Sequence, residues 1–142
     1  MSNNLLKGKK GIIFGALDDK SIAWKVALEA VSNGAEIILT NAPIALRMGD
    51  IKFLAEKCQC KVIPADATSI TDLENLFEVT MKEFNGRIDF ILHSIGMSIN
   101  VRKKRAYTNL NYDFLMKGFD VSALSFHKLL QVAFQLDAIS DF

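Results

Sequence analysis

The stretch "GIIFGALDDKSIAW", residues 11–24, decides how the rest of the sequence is interpreted. A short apolar run ends at Gly15, and apolar residues at helical spacing begin just after Ser21. This order is typical of a buried strand, a tight turn and a helix whose amino end can receive a phosphate group. The usual dinucleotide-binding turn has three glycines, whereas this turn has only Gly15. By itself the stretch leaves nucleotide binding and a simple turn equally open.

Apolar and amphipathic segments alternate along the whole chain. Beyond the strand that ends at Gly15, strands are predicted at "AEIILT" (35–40), "CKVIPAD" (60–66) and "IDFILHS" (88–94). Helices are predicted at about 22–31, 45–57, 71–84 and 113–136, and the one at 45–57 is less regular and broken up by Gly49. Nearly continuous apolar strands are typical of parallel strands that are covered on both faces. Right-handed crossovers then favour a doubly wound α/β sheet, Rossmann-like, with four strands in the order 3-2-1-4. We expect residues 1–142 to form one such domain that is incomplete at its carboxyl end, with the remaining strands missing.

Two local features refine this outline. The helix at 71–84 is the clearest, and Thr71 and Glu74 have the spacing of a capping box. Residues 98–111 are polar and are predicted as a loop that carries the only basic run, Arg102 to Arg105. A solvated surface is the favoured interpretation of that run.

Composition narrows the class of protein. Of the 142 residues, 50% are hydrophobic and 23% are charged, and the net charge of +1 gives no general attraction to nucleic acid or membranes. The sequence has no apolar run of about 18 residues, the length of a membrane span. The amino-terminal residues lack the apolar segment of a signal peptide. Cys58 and Cys60 are too few for a zinc site. We expect a cytoplasmic protein with no metal, nucleic-acid or membrane partner.

Ligands of doubly wound sheets bind beyond the carboxyl ends of the strands, so the chemistry is expected there. At the end of the first strand, Gly15 permits a tight turn. Ser21 and the amino end of the next helix can bind a pyrophosphate, and Ile22 can form an apolar wall beside it.

The third and fourth strands supply the other candidates. Asp66 can accept a hydrogen bond from an adenine amino group beside the backbone of Ala67, although a turn or capping role is the more common one for such an aspartate. The backbone of Ser94, Ile95 and Gly96 can pass close to a ribose because Gly96 has no side chain, or it can be a simple strand-ending turn.

These segments together resemble the enoyl-[acyl-carrier-protein] reductases (NADH) of bacteria, a divergent branch of the short-chain dehydrogenase/reductase family. "GALDDKSIAW" is similar to the Gly, five residues, Ser-Ile-Ala pattern of that branch. "DFILHSIGMS" resembles its His-Ser-Ile-Gly segment, "PADAT" its adenine site and "DVSALSFHKLL" the start of its long interface helix. The resemblance covers the whole chain in order.

The resemblance implies NADH-dependent reduction of the 2,3 double bond of fatty acyl chains that are bound to acyl carrier protein. It implies cofactor contacts from Gly15, Ser21, Ile22, Ala42, Asp66, Ala67, Ser94, Ile95 and Gly96, and a substrate contact from Ser98. The end of the second strand has no carboxylate for a ribose hydroxyl, and Arg47 is nearby, so NADPH stays open beside the favoured NADH. The tyrosine and lysine that act in this family are expected beyond this chain. Tyr107 and Tyr112 do not match that motif, so no catalytic residue is assigned.

The resemblance also implies partners. The helix that contains Ser122, Ser125 and Leu129 packs against another subunit in this family, which implies a homotetramer for the complete protein. The basic run offers a second interpretation, the docking of an acidic acyl carrier protein. Two other functions remain open: a non-catalytic nucleotide-binding domain, and a short-chain reductase for another substrate such as a ketone.

Overall fold

A computed structural model describes residues 4–141 and shows one parallel sheet with helices on both faces. The strand order β3-β2-β1-β4 confirms the predicted order 3-2-1-4. The strands are β1 (Lys10–Phe14), β2 (Glu36–Thr40), β3 (Lys61–Val62) and β4 (Phe90–His93). The helices are α1 (Ile22–Ser32), α2 (Pro43–Met48), α3 (Ile51–Cys58), α4 (Ile70–Phe84), α5 (Ile99–Arg102), α6 (Tyr112–Phe119) and α7 (Ser125–Gln135). No helix in residues 4–141 is long and apolar enough to cross a membrane.

The core has two halves, one on each face of the sheet. Because side chains alternate along a strand, Ile12 and Phe14 face one side while Ile13 faces the other. The first half packs against α4 and α7 through Leu73, Leu76, Phe77, Leu129 and Val132. The second half packs against α1 and α3 through Ala23, Trp24, Ala27, Ile51 and Leu54. The near-continuous apolar strands of the sequence therefore correspond to burial on both faces.

The helix predicted at 45–57 is two helices, and Gly49 separates them. The loop after β1 approaches Gly49 so closely that a Cβ there would overlap the carbonyl oxygen of Leu17. The same carbonyl accepts a hydrogen bond from the backbone N–H of Asp50 at 2.8 Å. The helix breaks here because the loop takes the hydrogen-bonding position that a continuous helix would occupy.

The predicted capping box at Thr71 and Glu74 is wrong. The helix α4 begins at Ile70, and the hydroxyl of Ser69 accepts the hydrogen bond from the N–H of Asp72 at 3.3 Å. Strand β3 is also shorter than predicted. It comprises only Lys61–Val62, although the N–H groups of Ile63 and Ala65 still donate to the carbonyls of Leu39 and Asn41.

The predicted long helix at 113–136 begins at Tyr112 as α6 and ends at Gln135 as α7, joined by a π-helical segment, Asp120–Leu124. The predicted loop at 98–111 contains the short helix α5 and a 3₁₀ turn, Tyr107–Asn109. The predicted helix is therefore interrupted in its middle, and the predicted loop is more ordered than its sequence pattern indicates.

Strand β4 lies at the edge of the four-stranded sheet, but a further neighbour begins beside it. Ile88 forms a parallel bridge with Ile139. The N–H of Ile88 donates to Ala138, and the N–H of Ser140 donates back to Ile88. A groove of about 780 Å³ lies next to this bridge, lined by residues that include Leu6, Val26, Phe90 and Ile139. This groove is near the start of β4, away from the strand ends where the chemistry is expected.

Candidate cofactor-binding site

The carboxyl ends of all four strands meet at one edge of the sheet. Phe14 at the end of β1 pairs with His93 at the end of β4. On the other side of β1, the N–H of Gly15 donates to the carbonyl of Thr40 at the end of β2, at 3.1 Å. The N–H of Ala65 donates in turn to the carbonyl of Asn41, also at 3.1 Å. The structure therefore brings the three predicted strand ends together.

Gly15 lies where the turn after β1 meets the turn after β4. Its φ of +96° is in the left-handed region that favours glycine. A Cβ at this position would overlap the carbonyl oxygen of Ser94. Glycine is therefore required here by the packing of two backbone segments, whether or not a ligand binds.

The loop from Gly15 to α1 is held by its own hydrogen bonds. The hydroxyl of Ser21 donates to the carbonyl of Asp18 at 2.7 Å and accepts from the N–H of Leu17 at 3.3 Å. The carboxylate of Asp18 accepts from the N–H groups of Lys20 and Ser21. The predicted hydrogen bond from Ser21 to a pyrophosphate stays a prediction, and it would replace a bond within this loop.

The amino end of α1 has the features of an anion site. No side chain caps it, and its first turn contains no acidic residue. In contrast, α4 is capped by Ser69 and has Asp72 in its first turn. The free N–H groups and the helix dipole at α1 therefore remain available to a phosphate. Ile22, which is 72% exposed, lies at the beginning of this turn.

The side chain of Asn41 ties the end of β2 to that of β1, a role that the sequence did not reveal. Its amide nitrogen donates to the carbonyl of Ala16 at 2.9 Å, and its amide oxygen accepts from the N–H of Ala42 at 2.9 Å. Ala42 precedes α2 and is partly exposed. The polar atoms of Asn41 are thus occupied, whereas Ala42 stays accessible at the edge of the site.

Asp66 has the turn role that the sequence allowed, and its hydrogen bond to an adenine stays a prediction. One carboxylate oxygen accepts from the N–H of Thr68 at 2.9 Å and from its hydroxyl at 2.7 Å, as a turn aspartate does. The other oxygen accepts no hydrogen bond from residues 4–141, so it can accept one from a ligand. Burial raises the pKa of the Asp66 carboxyl, but the Thr68 hydrogen bonds and the charges of Lys117 and Lys128 outweigh burial and lower it. Asp66 is therefore ionised at neutral pH. Ala67 beside it is buried.

The glycine of the turn after β4 has open space at its Cβ position, unlike Gly15 in the turn after β1. Ser94 and Ile95 are partly buried, but Gly96 is exposed, and a Cβ on it would meet no atom within 4 Å. Ser98 is exposed, and its hydroxyl caps α5 by accepting from the N–H of Val101 at 3.3 Å. The space around Gly96 at the shared strand edge is open, and the contact of this backbone with a ribose stays a prediction.

Comparison with known proteins agrees with this geometry. The family model described as enoyl-(acyl carrier protein) reductase matches residues 15–138. The chain belongs to this family.

Three relatives illustrate the match. An enoyl-[acyl-carrier-protein] reductase [NADH] of Rhizobium meliloti is 30% identical over 134 residues, which cover 94% of this chain and 50% of that protein. The crystal structure of the FabI–NADH complex from Alistipes finegoldii has 64% identity and a TM-score of 0.95, and the match covers 97% of this chain and 49% of that one. The Bacillus cereus enoyl-acyl carrier protein reductase, solved with NADP+ and indole naphthyridinone, has 26% identity and a TM-score of 0.79. That match covers 92% of this chain and 51% of the Bacillus cereus chain. The chain spans about half the length of these relatives.

In this family member, His93 links the site to the last helix. Its Nε2 lies 2.7 Å from the hydroxyl of Ser125, which is fully buried and donates its own proton to the carbonyl of Val121 at 2.7 Å. The Ser125 hydroxyl therefore bridges the His93 ring and the backbone of Val121. Burial lowers the pKa of His93. This contact gives His93 a structural role between β4 and α7.

The face of the last helix that contains Ser122, Ser125 and Leu129 makes its contacts within this chain. Ser125 and Leu129 are fully buried in this chain's own core, and Ser122 hydrogen-bonds the backbone of Met97. The exposed apolar residues of α7 are instead spaced four apart: Phe126, Leu130 and Phe134. Small residues on a helix can face the core as readily as a partner, and the sequence alone did not distinguish the two cases.

Proposed function

We propose that this chain is the cofactor-binding part of an NADH-dependent enoyl-[acyl-carrier-protein] reductase of fatty acid synthesis. The observation that carries the proposal is the meeting of three features at one sheet edge: the Gly15 turn, the uncapped amino end of α1 and the open space at Gly96. The 64% identity to a FabI crystallised with NADH supports the choice of ligand.

Each candidate residue has a proposed part in holding the dinucleotide. The amino end of α1, with Ser21 and Ile22, holds the pyrophosphate. Asp66 and Ala67 bind the adenine, and Ala42 borders the adenosine. The backbone of residues 94–96 binds the nicotinamide ribose. Ser98, just beyond, borders the substrate.

NADH is the proposed cofactor rather than NADPH. The end of β2 presents neither a carboxylate nor a free side-chain amide to an adenosine ribose, because the amide of Asn41 is hydrogen-bonded to Ala16 and Ala42. Arg47 is exposed in the last turn of α2. The Bacillus cereus relative was solved with NADP+, so NADPH is the alternative to test.

When bound, the reduced nicotinamide would supply the hydride that is transferred to carbon three of the enoyl thioester. The residues of this chain bind and orient that group. None of them is proposed as the proton donor. Tyr107 is 90% exposed and Tyr112 76% exposed, and both are in or next to the segment that follows Ser98, outside the strand-end site.

A homotetramer in the cytoplasm is the proposed state of the complete protein. The apolar stripe of Phe126, Leu130 and Phe134 on α7 supports association, since an exposed row of large apolar side chains is uncommon on a monomer. No metal, nucleic-acid or membrane partner is proposed.

The test is a pair of measurements on the full-length protein. Calorimetry with NADH and NADPH measures binding, and the loss of NADH absorbance with a crotonyl thioester or a ketone measures turnover. We expect NADH binding and turnover of the thioester alone. Binding without any turnover would favour a non-catalytic domain, and turnover of the ketone alone would favour the other reductase class.

A further inference from the structure

The basic residues Arg102, Lys103, Lys104 and Arg105 are all exposed, and the cofactor site does not use them. Within residues 4–141 none of the four pairs with a carboxylate. Lys9, Lys61, Lys117 and Lys128 do pair with carboxylates, and the described cations that do not, such as Lys52 and Lys82, are not part of a run of four. Four neighbouring cations without an anion repel each other, so an acidic partner would stabilise this surface.

The segment that carries these residues, 98–111, is held in one shape and is named here the basic loop. Asn100, only 3% exposed, donates from its side chain to the carbonyl of Asn111 and accepts from the N–H of the same residue, both at 3.0 Å. The N–H of Arg105 donates to the carbonyl of Asn100 at 3.0 Å. Because these hydrogen bonds hold both ends of the loop in place, binding of a partner would cost little conformational entropy.

Not all four cations are equally free. The ammonium group of Lys103 lies 5.7 Å from the centre of the Phe114 ring, and the guanidinium of Arg105 donates to the carbonyl of Asn109 at 2.9 Å. The side chains of Arg102 and Lys104 contact no partner in the described part of the chain. These two are therefore the residues most available to another molecule.

The surroundings of the cations fit a protein partner. Exposed Val101, Tyr107 and Tyr112 flank them. No acidic residue occurs between Asp89 and Asp113. Arginine and tyrosine next to apolar surface are the side chains enriched where proteins bind proteins.

We infer that the basic loop docks the acidic face of the acyl carrier protein that delivers the enoyl thioester, which rests on the proposed function. The loop begins at Ser98, two residues beyond Gly96, so a carrier docked on it stands beside the strand-end site. The contact is electrostatic at its rim, with the exposed tyrosines as apolar anchors.

The kinetic test compares two charge-reversal variants of the full-length protein. Arg102→Glu/Lys104→Glu alters the loop, and Lys52→Glu/Lys82→Glu makes the same charge change at exposed lysines on α3 and α4. We expect the first variant to raise the KM for the carrier-bound substrate about tenfold or more, with kcat nearly unchanged. The KM for the N-acetylcysteamine thioester should not change in either variant, and added salt should weaken the wild-type preference for the carrier.

A binding measurement keeps the inference testable without turnover. Fluorescence anisotropy with labelled carrier protein should show binding to the wild type and to the Lys52/Lys82 variant, and a loss of about tenfold in the loop variant. Equal binding by all three proteins, or binding by none, overturns the inference. Tighter binding of single-stranded RNA or of phosphatidylserine vesicles than of the carrier overturns it as well. Turnover of the N-acetylcysteamine thioester, with the KM for the carrier-bound substrate unchanged in the loop variant, would refute the docking surface alone. No turnover of any thioester would refute the proposed function.

Discussion

Two turns at the same sheet edge contain a glycine, and the structure uses the two glycines in opposite ways. In the turn after β1, the missing side chain of Gly15 makes room for the chain itself, at the carbonyl of Ser94. In the turn after β4, the missing side chain of Gly96 leaves space that no atom of the chain fills. The fold requires the first glycine, whereas it leaves the position of the second open, and contact of Gly96 with a bound ribose stays a prediction. This difference separates structural residues from candidate ligand contacts.

The largest effect is expected from Gly15→Ala. The new methyl group would overlap backbone that cannot move away, and alanine disfavours the left-handed conformation, so we expect a loss of about 3 kcal/mol or more in the free energy of unfolding. Urea denaturation measures it. Gly86→Ala is the matched control, because Gly86 is exposed and has open space around its Cβ position. Equal losses in the two variants would remove the steric explanation.

The next effect concerns how the open turn is supported. Ser125→Ala would leave Nε2 of the partly buried His93 without its hydrogen-bond partner, at a cost of about 1–3 kcal/mol in stability. Ser122→Ala is the control at the same helix, since its hydroxyl bonds the exposed backbone of Met97. Urea midpoints should fall clearly for the first variant and little for the second. Similar midpoints would mean that α7 does not hold the end of β4 through this bond.

The same contact predicts a pH dependence. Burial lowers the pKa of His93 below its ordinary 6.5. As the pH falls, the unfolded chain therefore takes up a proton on His93 before the folded chain does. The stability that the neutral His93 contributes is complete above pH 6.5 and is lost as the pH falls through the lowered pKa. Stability curves of the wild type and of His93→Gln should diverge only in that acidic window. Parallel curves would show that the histidine does not titrate with folding.

A third variant tests the open glycine. Gly96→Val should fold normally, because its Cβ meets nothing in the chain, yet weaken NADH binding at least tenfold, which is about 1.4 kcal/mol. Calorimetry on the full-length protein measures the affinity, and Gly96→Ala should lose less because its side chain is smaller. An unchanged affinity in folded Gly96→Val would remove the ribose from this turn.

The sequence predicts much of the fold but cannot separate these glycines. The strand order follows from local patterns, since apolar runs and helical periodicity need only neighbouring residues. The role of Gly15 depends on a contact with Ser94, which is distant along the chain. The glycine itself predicts the break at Gly49, but the cause of the break, the carbonyl of Leu17, is distant along the chain in the same way. Long-range approaches of one backbone to another leave no periodic pattern, so only the structure reveals them.

The candidate site shows the same division. The anion-binding end of α1 and the acceptor at Asp66 are readable because residue type and position at a strand end suggest their chemistry. The bridging amide of Asn41 was not readable, because its partners Ala16 and Ala42 contribute only backbone atoms. The burial of Ser125 and Leu129 in the chain's own core was not readable either, because helical spacing alone does not say which face of α7 the core occupies.

The smallest effect is expected from Arg47→Ala, at the end of β2 rather than at either glycine. Arg47 is exposed, and the helix that begins at Pro43 separates it from Asn41. In the described residues, no hydrogen bond or ion pair holds its guanidinium at the proposed ribose position. We expect the ratio of NADH to NADPH affinity to change by less than about threefold, or under about 0.7 kcal/mol. Lys52→Ala, on the adjacent helix, controls for the loss of one positive charge. Calorimetric titration of both cofactors decides the matter.

A strong loss of NADPH affinity with NADH affinity intact would mean that Arg47 holds the 2′-phosphate and that the enzyme prefers NADPH. The open turn at Gly96 would then still bind the nicotinamide ribose, because that ribose is common to both cofactors, and only the proposed adenosine end would need revision.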